Sequence, residues 1–513
     1  MWPCSCGCPL QMSASTHSPG RSLAEGIAPT GGSTAASPAS TARPRLLLIT
    51  YHFPPDAAVG ALRWQKLSRY AVERGWGLDV IALDPASLAA SDPGRTADLP
   101  RGVRVYGVQV PRGWGDQAGD VVRQACHGAL RLWRDIARRP HAGASLLSPR
   151  RESLPRNEIR WRSSEPRDVV RAYFAWLDYA RTGQWARAAA RRALQIIEPG
   201  AHRAVISCGP PHMAHEAARR VARRTRLPFV MDLRDPWSLL QRLPEATASP
   251  VWLTLAAYYE RRAVARASLI VTNSDPMREA MRGLYRTAAK RIIAIPNGCD
   301  EEPVPPSQHG HRFVIAYAGS IYLDRDPRPL FRAAAQLVAD RSLTPHEFGI
   351  EFMGEVRTFD GVLVEEIAGQ ERIREFVRTY PRRPRAEALE FLSRATMLAV
   401  LPQDSHMAIP AKIFDYMQFD AWLLALAEDG SATEQLLRGS SADVVPPDAV
   451  NAIAELLHRR YVQHLRGEWP QRLAVDLRYS RREQAHRLFA AIEAIAGAPP
   501  RPGEERALVC VAS

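Results

Sequence analysis

The stretch "MAIPAKIFDYMQFD" (407–420) places a cation, Lys412, and a carboxylate, Asp415, three positions apart before the apolar run "WLLAL". Pro410 suits the first turn of a helix, because its fixed φ is already helical. Lys412 and Asp415 would then lie on one face of that helix, about one turn apart. Such a pair suits a ligand with a phosphate at one end and a ribose at the other. A local Lys412–Asp415 ion pair on a surface helix is the alternative.

Backbone groups at the same helix start are also candidates. The amides near Ile409, Ala411 and Lys412 precede the first intrahelical hydrogen bonds, so they are expected to be free to bind an anion. Lys412 adds a formal charge to the partial positive charge of the helix start. The sequence therefore predicts an anion site at this point.

A second set of candidates follows in "YAGSIYLDRDPRPL". Gly319 and Ser320 end an apolar run of strand character, so their amides are expected to face a ligand. Arg325 and Arg328 come shortly after. An arginine side chain donates two parallel hydrogen bonds, which suits a phosphate. The alternative is a pair of surface arginines neutralised by the acids of "DRDP".

The first half of the chain offers weaker signals. "YHFPPDAAVG" ends at Gly60 just before a helical pattern, where a backbone without a side chain can approach a ligand. A plain strand–helix turn is the alternative. "PFVMDLRDPW" puts Asp232, Arg234 and Asp235 at a strand end, and His212 in "CGPPHMAH" follows the strand before it.

Apolar runs alternating with helical patterns must position these residues. "RLLLIT" (45–50) is continuous and apolar, as in a parallel strand buried on both faces. The alternation predicts an α/β chain with two doubly wound Rossmann-like domains facing each other across a cleft. The predicted segments are a disordered tail (1–43), a first domain (44–298) with a basic aromatic insertion (111–200), a hinge (299–311), a second domain (312–480), a helix packing back on the first domain (481–497) and a tail (498–513).

Charge and composition limit the kinds of partner and the cellular compartment that we expect. Lys plus Arg number 68 against 54 Asp plus Glu, a formal charge of +14. This favours a polyanionic partner or merely a basic surface. Seven cysteines without a paired pattern favour a reducing compartment. No apolar run reaches transmembrane length, so we expect a cytoplasmic protein.

The order and spacing of these pieces resemble the GT-B glycosyltransferases, and within them the retaining family GT4. The resemblance covers roughly 45–110 and 200–495. It implies a nucleotide-sugar donor, a glycan or lipid-linked acceptor in bacterial cell-surface polysaccharide synthesis, and transfer with retention. It also implies that neither a metal nor a cofactor takes part.

The resemblance also implies roles for individual residues. Asp415 matches an acid that binds ribose, while Met407 stands where the family has a second acid and Arg234 where many members have a histidine. Catalytic roles fall to Arg325, Lys412 and Asp235. Donor binding falls to Gly60, Gly319, Ser320, Arg325, Ile409, Ala411, Lys412 and Asp415.

The basic region 123–195 bears on the acceptor. Trp133, Trp161, Trp176 and Trp185 interleave with arginines there, as on proteins that lie on an anionic membrane surface. An arginine-rich insertion folded onto the first domain is the alternative. Nucleic acid fits less well, because no recognition motif accompanies the charge. A non-catalytic sugar-nucleotide or partner-binding protein and a GT-B-shaped epimerase remain alternative functions.

Overall fold

A computed structural model of the protein describes residues 43–110, 153–160 and 166–499, apart from 309, 323, 403 and 404. Within them, two parallel β-sheets form the centres of two lobes. The predicted tails (1–43 and 498–513) lie almost wholly outside the described residues, as does the middle of the predicted insertion.

The first lobe is built on a seven-stranded sheet with the order β3-β2-β1-β5-β6-β8-β9. Neighbouring strands of this sheet run parallel. The strands of this lobe are β1 (Arg45–Thr50), β2 (Gly77–Leu83), β3 (Val103–Val108), β4 (Ser153–Pro155), β5 (His202–Gly209), β6 (Phe229–Leu233), β7 (Arg242–Pro244), β8 (Leu269–Thr272) and β9 (Ile292–Ala294).

Helices cover both faces of this sheet. They are α1 (Leu62–Glu73), α2 (Gly94–Ala97), α3 (Pro166–Ile196), α4 (Met213–Thr225), α5 (Pro250–Arg266) and α6 (Asp275–Leu284). Ser274 caps α6 by accepting a hydrogen bond from the Met277 amide, and Pro276 occupies the first turn. This arrangement satisfies one of the amides that a helix start leaves free.

The second lobe has a six-stranded parallel sheet with the order β14-β11-β10-β15-β16-β17. Its strands are β10 (Phe313–Ser320), β11 (Phe348–Glu355), β14 (Val377–Tyr380), β15 (Met397–Val400), β16 (Trp422–Leu426) and β17 (Asp443–Val445), with a small hairpin of β12 (Thr358–Phe359) and β13 (Val362–Leu363). Its helices are α7 (Arg328–Arg341), α8 (Val364–Gln370), α9 (Arg385–Ser393), α10 (Lys412–Tyr416), α11 (Ala432–Leu437) and α12 (Val450–Leu465).

The last helix, α13 (Arg481–Ala496), returns to the first lobe. Leu488, Phe489 and Ile492 are buried in the same apolar cluster as residues of β1, β2 and α1. Glu493 accepts a hydrogen bond from the Arg74 guanidinium at 2.6 Å. The segment just before α13 pairs with the hinge, where the Cys299 amide donates to the Tyr479 carbonyl at 2.7 Å. The chain therefore passes between the lobes twice, once at the hinge and once before α13.

The described part of the insertion is mainly the 31-residue helix α3. Its Trp185 is fully buried in the first lobe's core, so this residue does not fit the predicted membrane-facing set. Trp176 on the same helix is 55% exposed. Trp133 and Trp161 lie outside the described residues. Within those residues, none of the helices is both long and apolar enough to cross a bilayer.

Candidate functional site

A cavity of about 600 Å³ opens between the lobes at the carboxyl ends of strands from both sheets. First-lobe residues enter it after β1, β5, β6 and β8, and second-lobe residues enter it after β10 and β15. Ligands of open parallel sheets bind at this edge, beyond the carboxyl ends of the strands. The predicted site residues that line the cavity are Gly60, Asp235, Arg325, Ile409, Ala411 and Asp415.

Lys412 of the second lobe is not itself among the residues that line the cavity, although Ala411 and Asp415 on either side of it are, and its amine is withdrawn from water. Among the described residues, its Nζ has no hydrogen-bond partner, and it lies 3.5 Å from the centroid of the Tyr317 ring. Burial, and secondarily the charge of Arg325, hold the pKa of Lys412 well below its ordinary value. An amine in this state gains strongly from an anion that reaches it, because the ring compensates only part of the lost hydration.

Gly319 explains how Lys412 reaches this position. A Cβ atom at Gly319 would lie 2.5 Å from Lys412 Nζ, and the backbone there has a φ of +137°. Only glycine adopts that backbone without strain, and only glycine leaves room for the amine. Gly319 and Ser320 are thus adjacent to Lys412 rather than among the residues lining the cavity, contrary to the prediction that their amides face the ligand. The Ser320 hydroxyl donates to Glu355 at 3.2 Å.

The two candidate arginines after β10 separate in the structure. Arg325 lines the cavity, stacks over the Tyr322 ring at 4.0 Å and donates to the Ser320 carbonyl at 3.2 Å. Arg328 instead pairs with Asp326 at 3.1 Å and is not among the residues lining the cavity. The alternative of a surface arginine neutralised by the acids of "DRDP" therefore applies to Arg328.

Asp415 lines the cavity and is paired with an arginine that the sequence pattern did not single out. Arg385, at the start of α9, donates to the Asp415 carboxylate at 2.9 and 3.3 Å. The predicted surface pair between Lys412 and Asp415 is absent among the described contacts. The two side chains thus act separately, because the amine goes to Tyr317 while the carboxylate goes to Arg385.

Helix α10 is shorter than the pattern predicted. It has five residues, and Pro410 lies two positions before it rather than in its first turn. The Ile409 and Ala411 residues do line the cavity. A five-residue helix carries little macrodipole, so the charge at this point comes from the Lys412 side chain.

Met407 points away from the cavity. Its side chain is buried in the apolar cluster of the first lobe, although the residue belongs to the second. Its carbonyl accepts a hydrogen bond from the Ser274 hydroxyl at 2.6 Å, and its amide donates to the Ser405 hydroxyl at 3.2 Å. Met407 thus joins the two lobes at the edge of the site, and its position supplies no carboxylate to a ligand.

At the first-lobe side, Asp232 is structural. It is fully buried and accepts two hydrogen bonds from Arg63, at 2.9 and 3.0 Å, and one from the Trp64 indole at 2.8 Å. This network ties α1 to the end of β6. The sequence placed Asp232 in the polar set at the cleft, and this expectation was wrong because the side chain turns into the sheet–helix interface.

Gly60 accommodates an arginine. A Cβ atom at Gly60 would lie 2.6 Å from Arg234 Nη1 and 3.1 Å from the His52 ring. Arg234 follows β6 directly and its Nη1 has no hydrogen-bond partner among the described residues. The structure thus explains why position 60 is a glycine in a way that the turn pattern did not: a glycine leaves space for the Arg234 guanidinium.

Two further first-lobe groups face the cavity. The Asp235 carboxylate is partly exposed and lies 3.5 Å from Arg234 Nε. The His212 ring stacks on Trp237 at 5.1 Å with an interplanar angle of 16°. Burial, then the neighbouring His215 and Arg234, hold the pKa of His212 well below its ordinary value, so its ring is neutral. In the described part of the chain, no cluster of three His, Cys, Asp or Glu side chains has metal-site geometry.

Comparison with solved structures decides the fold. A glycosyltransferase from Rickettsia africae ESF-5 superimposes with a TM-score of 0.51 at 10% identity, covering 89% of this chain and 99% of that chain. The lipopolysaccharide outer core galactosyltransferase WaaB, in its apo form, gives 0.51 at 11% identity over 88% and 99%. A UDP-forming trehalose-phosphate synthase from Burkholderia xenovorans gives 0.55 at 12% identity over 89% and 100%. This chain has the GT-B fold.

Sequence comparison adds a partial match. Residues 129–303 match the family model described as Glycosyltransferase Family 4. No curated protein matches the chain in sequence. The predicted fold and the resemblance to family 4 are thus confirmed, whereas the role of each site residue stays a prediction.

Proposed function

We propose that this GT-B protein is a glycosyltransferase that moves a sugar from a nucleotide-sugar donor to a glycan or lipid-linked acceptor. The observation that carries the proposal is the Lys412 amine, which is buried beside Gly319 without a hydrogen-bond partner among the described residues and is close to Arg325, a residue that lines the cavity. A diphosphate reaching it would supply the missing partner. The Asp415–Arg385 pair nearby offers a carboxylate for ribose hydroxyls.

The chemistry proposed is transfer with retention, without a metal or cofactor. Fixed cations such as Lys412 and Arg325 would stabilise the diphosphate as the bond to the sugar breaks, and this electrostatic preorganisation supplies rate without a protein nucleophile. The leaving diphosphate oxygen would take the proton of the acceptor hydroxyl as the new glycosidic bond forms. Asp235 remains a candidate for contact with the reacting groups because it is exposed in the same cavity.

The cellular setting is part of the proposal. A role in bacterial cell-surface polysaccharide synthesis, at the inner face of the plasma membrane, agrees with the basic charge of the chain and with the exposed Trp176 on α3. A non-catalytic sugar-nucleotide-binding protein is the alternative, and the burial of Met407 away from the cavity favours it.

A transfer assay separates these functions. The protein is incubated with UDP-, GDP-, ADP- and dTDP-sugars and a membrane extract, and released nucleoside diphosphate is measured by chromatography. We expect release from one donor that requires the extract and falls at least a hundredfold in Lys412→Met, since a charged hydrogen bond of about 3 kcal/mol would be lost. Binding without release would establish the non-catalytic alternative, and epimerised donor would indicate an epimerase.

A further inference from the structure

The cavity carries a second cationic donor, on the lobe opposite Lys412. Arg234 lies at the carboxyl end of β6, where its amide donates to the Gly209 carbonyl at 3.1 Å and so fixes the backbone. Nη2 has one long contact, 3.4 Å to the Pro210 carbonyl, and Nε lies 3.5 Å from Asp235. Nη1 is buried and has no hydrogen-bond partner among the described residues. Its charge is therefore incompletely compensated.

Four other cations that line the cavity are already held by partners. The Arg63 guanidinium donates hydrogen bonds to Asp232, Asn297 and the Ile295 carbonyl. Ion pairs hold the other three cations: Lys66 pairs with Glu302, Arg481 with Asp300, and Arg385 with Asp415. Among the first-lobe cations that line the cavity, Arg234 thus stands out because its Nη1 has no described partner.

The surroundings of Arg234 are shaped for a sugar. His212 and Trp237 form a flat stacked wall, and the neutral His212 ring retains Nδ1 without a hydrogen-bond partner. Aromatic walls with a few convergent polar groups are typical of sites for small polar ligands. Gly60 leaves room for the guanidinium, since any side chain there would displace Nη1.

We infer that Arg234 binds a carboxylate or phosphate group carried on a sugar, so that the substrate on the first-lobe side is an acidic or phosphorylated sugar. This rests on the proposed function, in which the donor diphosphate occupies the Lys412 side. The donor diphosphate accounts for the Lys412 amine, and the unpartnered Nη1 of Arg234, on the facing lobe, calls for another oxyanion. The guanidinium fork matches both groups through two parallel hydrogen bonds.

Calorimetric titration tests the inference with matched probes. Glucose, glucuronate and glucose 6-phosphate are titrated into the full chain saturated with whichever of UDP, GDP, ADP and dTDP binds. In a second arm, UDP-glucuronate is compared with UDP-glucose, and GDP-mannuronate with GDP-mannose. The first arm detects an anion on the acceptor and the second an anion on the transferred sugar. The variants are Arg234→Met, Arg234→Lys and, as a surface control, Arg466→Met.

We expect at least one anionic probe to bind tenfold or more tightly than its neutral partner. Arg234→Met should remove that preference, a loss of about tenfold to a hundredfold for a charged hydrogen bond. Arg234→Lys should be intermediate, and Arg466→Met unchanged. Binding of the simple nucleoside diphosphate should be the same in all four proteins.

Two results would overturn the inference. One is equal binding of anionic and neutral sugars in both arms, or no binding of any sugar probe. The other is a loss of nucleoside diphosphate binding in Arg234→Met, which would assign Arg234 to the donor diphosphate. Failure of every nucleotide to bind would instead refute the proposed function itself, so the two failures are distinguishable.

Discussion

At the residue scale, the site depends on an amine that the fold stabilises poorly. Lys412 is one of three lysines in a chain whose other cations are arginines. A compact ammonium fits above Tyr317 and against Gly319, where a guanidinium would not. Its pKa is lowered by burial, and a bound diphosphate would reverse that shift by supplying an opposite charge.

A stability cost should accompany this arrangement in the unliganded protein. Lys412→Met replaces an unpartnered amine by an apolar chain of similar length, and we expect unfolding free energy to rise by about 1–3 kcal/mol. Because the folded pKa is depressed, the unfolded chain binds more protons, so wild type should gain stability relative to the variant as the pH rises from 7 to 10. Urea unfolding across this range measures both effects.

Lys290→Met, at an exposed position, is the matched control and should change stability little. An unliganded Lys412→Met protein that is less stable than wild type at pH 7 would show that the amine has a stabilising partner after all.

The sequence indicated candidate site residues of the second lobe more readily than it indicated the residues with which they form ion pairs. The sequence singled out Lys412, Asp415 and Arg325 because a cation and an acid near strand ends are a local signal, and of these the structure places Asp415 and Arg325 in the cavity lining. Arg385 was missed, since it lies 30 positions before Asp415 and only the fold brings them together. Arg234 and Gly60 likewise meet through the sheet, and no spacing links them.

At the element scale, the central strands were predictable because they are apolar runs that are largely buried, whereas β3 is mostly exposed. "RLLLIT" and "FVIAYAGS" coincide with β1 and β10. Helix α10 was harder, since "KIFDYMQF" has helical periodicity but the chain turns towards β16 after five residues. Helix α3 lies in the predicted basic aromatic insertion, and the burial of its Trp185 depends on packing that composition does not encode.

A polar clamp holds the first sheet at the end away from the cleft. Asp79 of β2 is fully buried and accepts hydrogen bonds from Arg45 of β1 at 2.5 Å, Arg104 of β3 at 2.6 Å and His202 of β5 at 3.0 Å. These hydrogen bonds outweigh desolvation, which alone would raise the pKa, and hold the Asp79 pKa well below its ordinary value. One carboxylate thus joins four strands.

Asp79→Asn should lower the unfolding free energy by about 3 kcal/mol at pH 7, because charged donors lose their acceptor inside the sheet. A depressed carboxyl pKa contributes stability that is present at neutral pH and lost in acid, so the difference from wild type should shrink as the pH falls below about 4. Urea unfolding at pH 7 and pH 3 measures this. Asp98→Asn, on the exposed surface, is the control, and an equal effect of both variants would contradict the clamp.

At the scale of the whole molecule, the two lobes and the hinge between them were visible in the sequence as two strand–helix series separated by a Pro-rich segment. What the sequence could not show is which residues pass from one lobe to the other. Met407 enters the first lobe's core although its neighbours face the cavity. Contacts between lobes depend on how the lobes are oriented, and no local pattern records that.

The central claim also concerns the whole molecule: the cleft between the two lobes binds a nucleoside diphosphate through Lys412. Titration calorimetry with UDP, GDP, ADP and dTDP on wild type, Lys412→Met, Lys412→Arg and Lys290→Met tests it most directly. We predict that one nucleotide binds wild type and Lys290→Met alike, and that both Lys412 variants bind it at least tenfold more weakly, since a charged hydrogen bond is lost and the bulkier guanidinium clashes at Gly319. Equal affinity in Lys412→Met, or no nucleotide bound by wild type, would contradict the account.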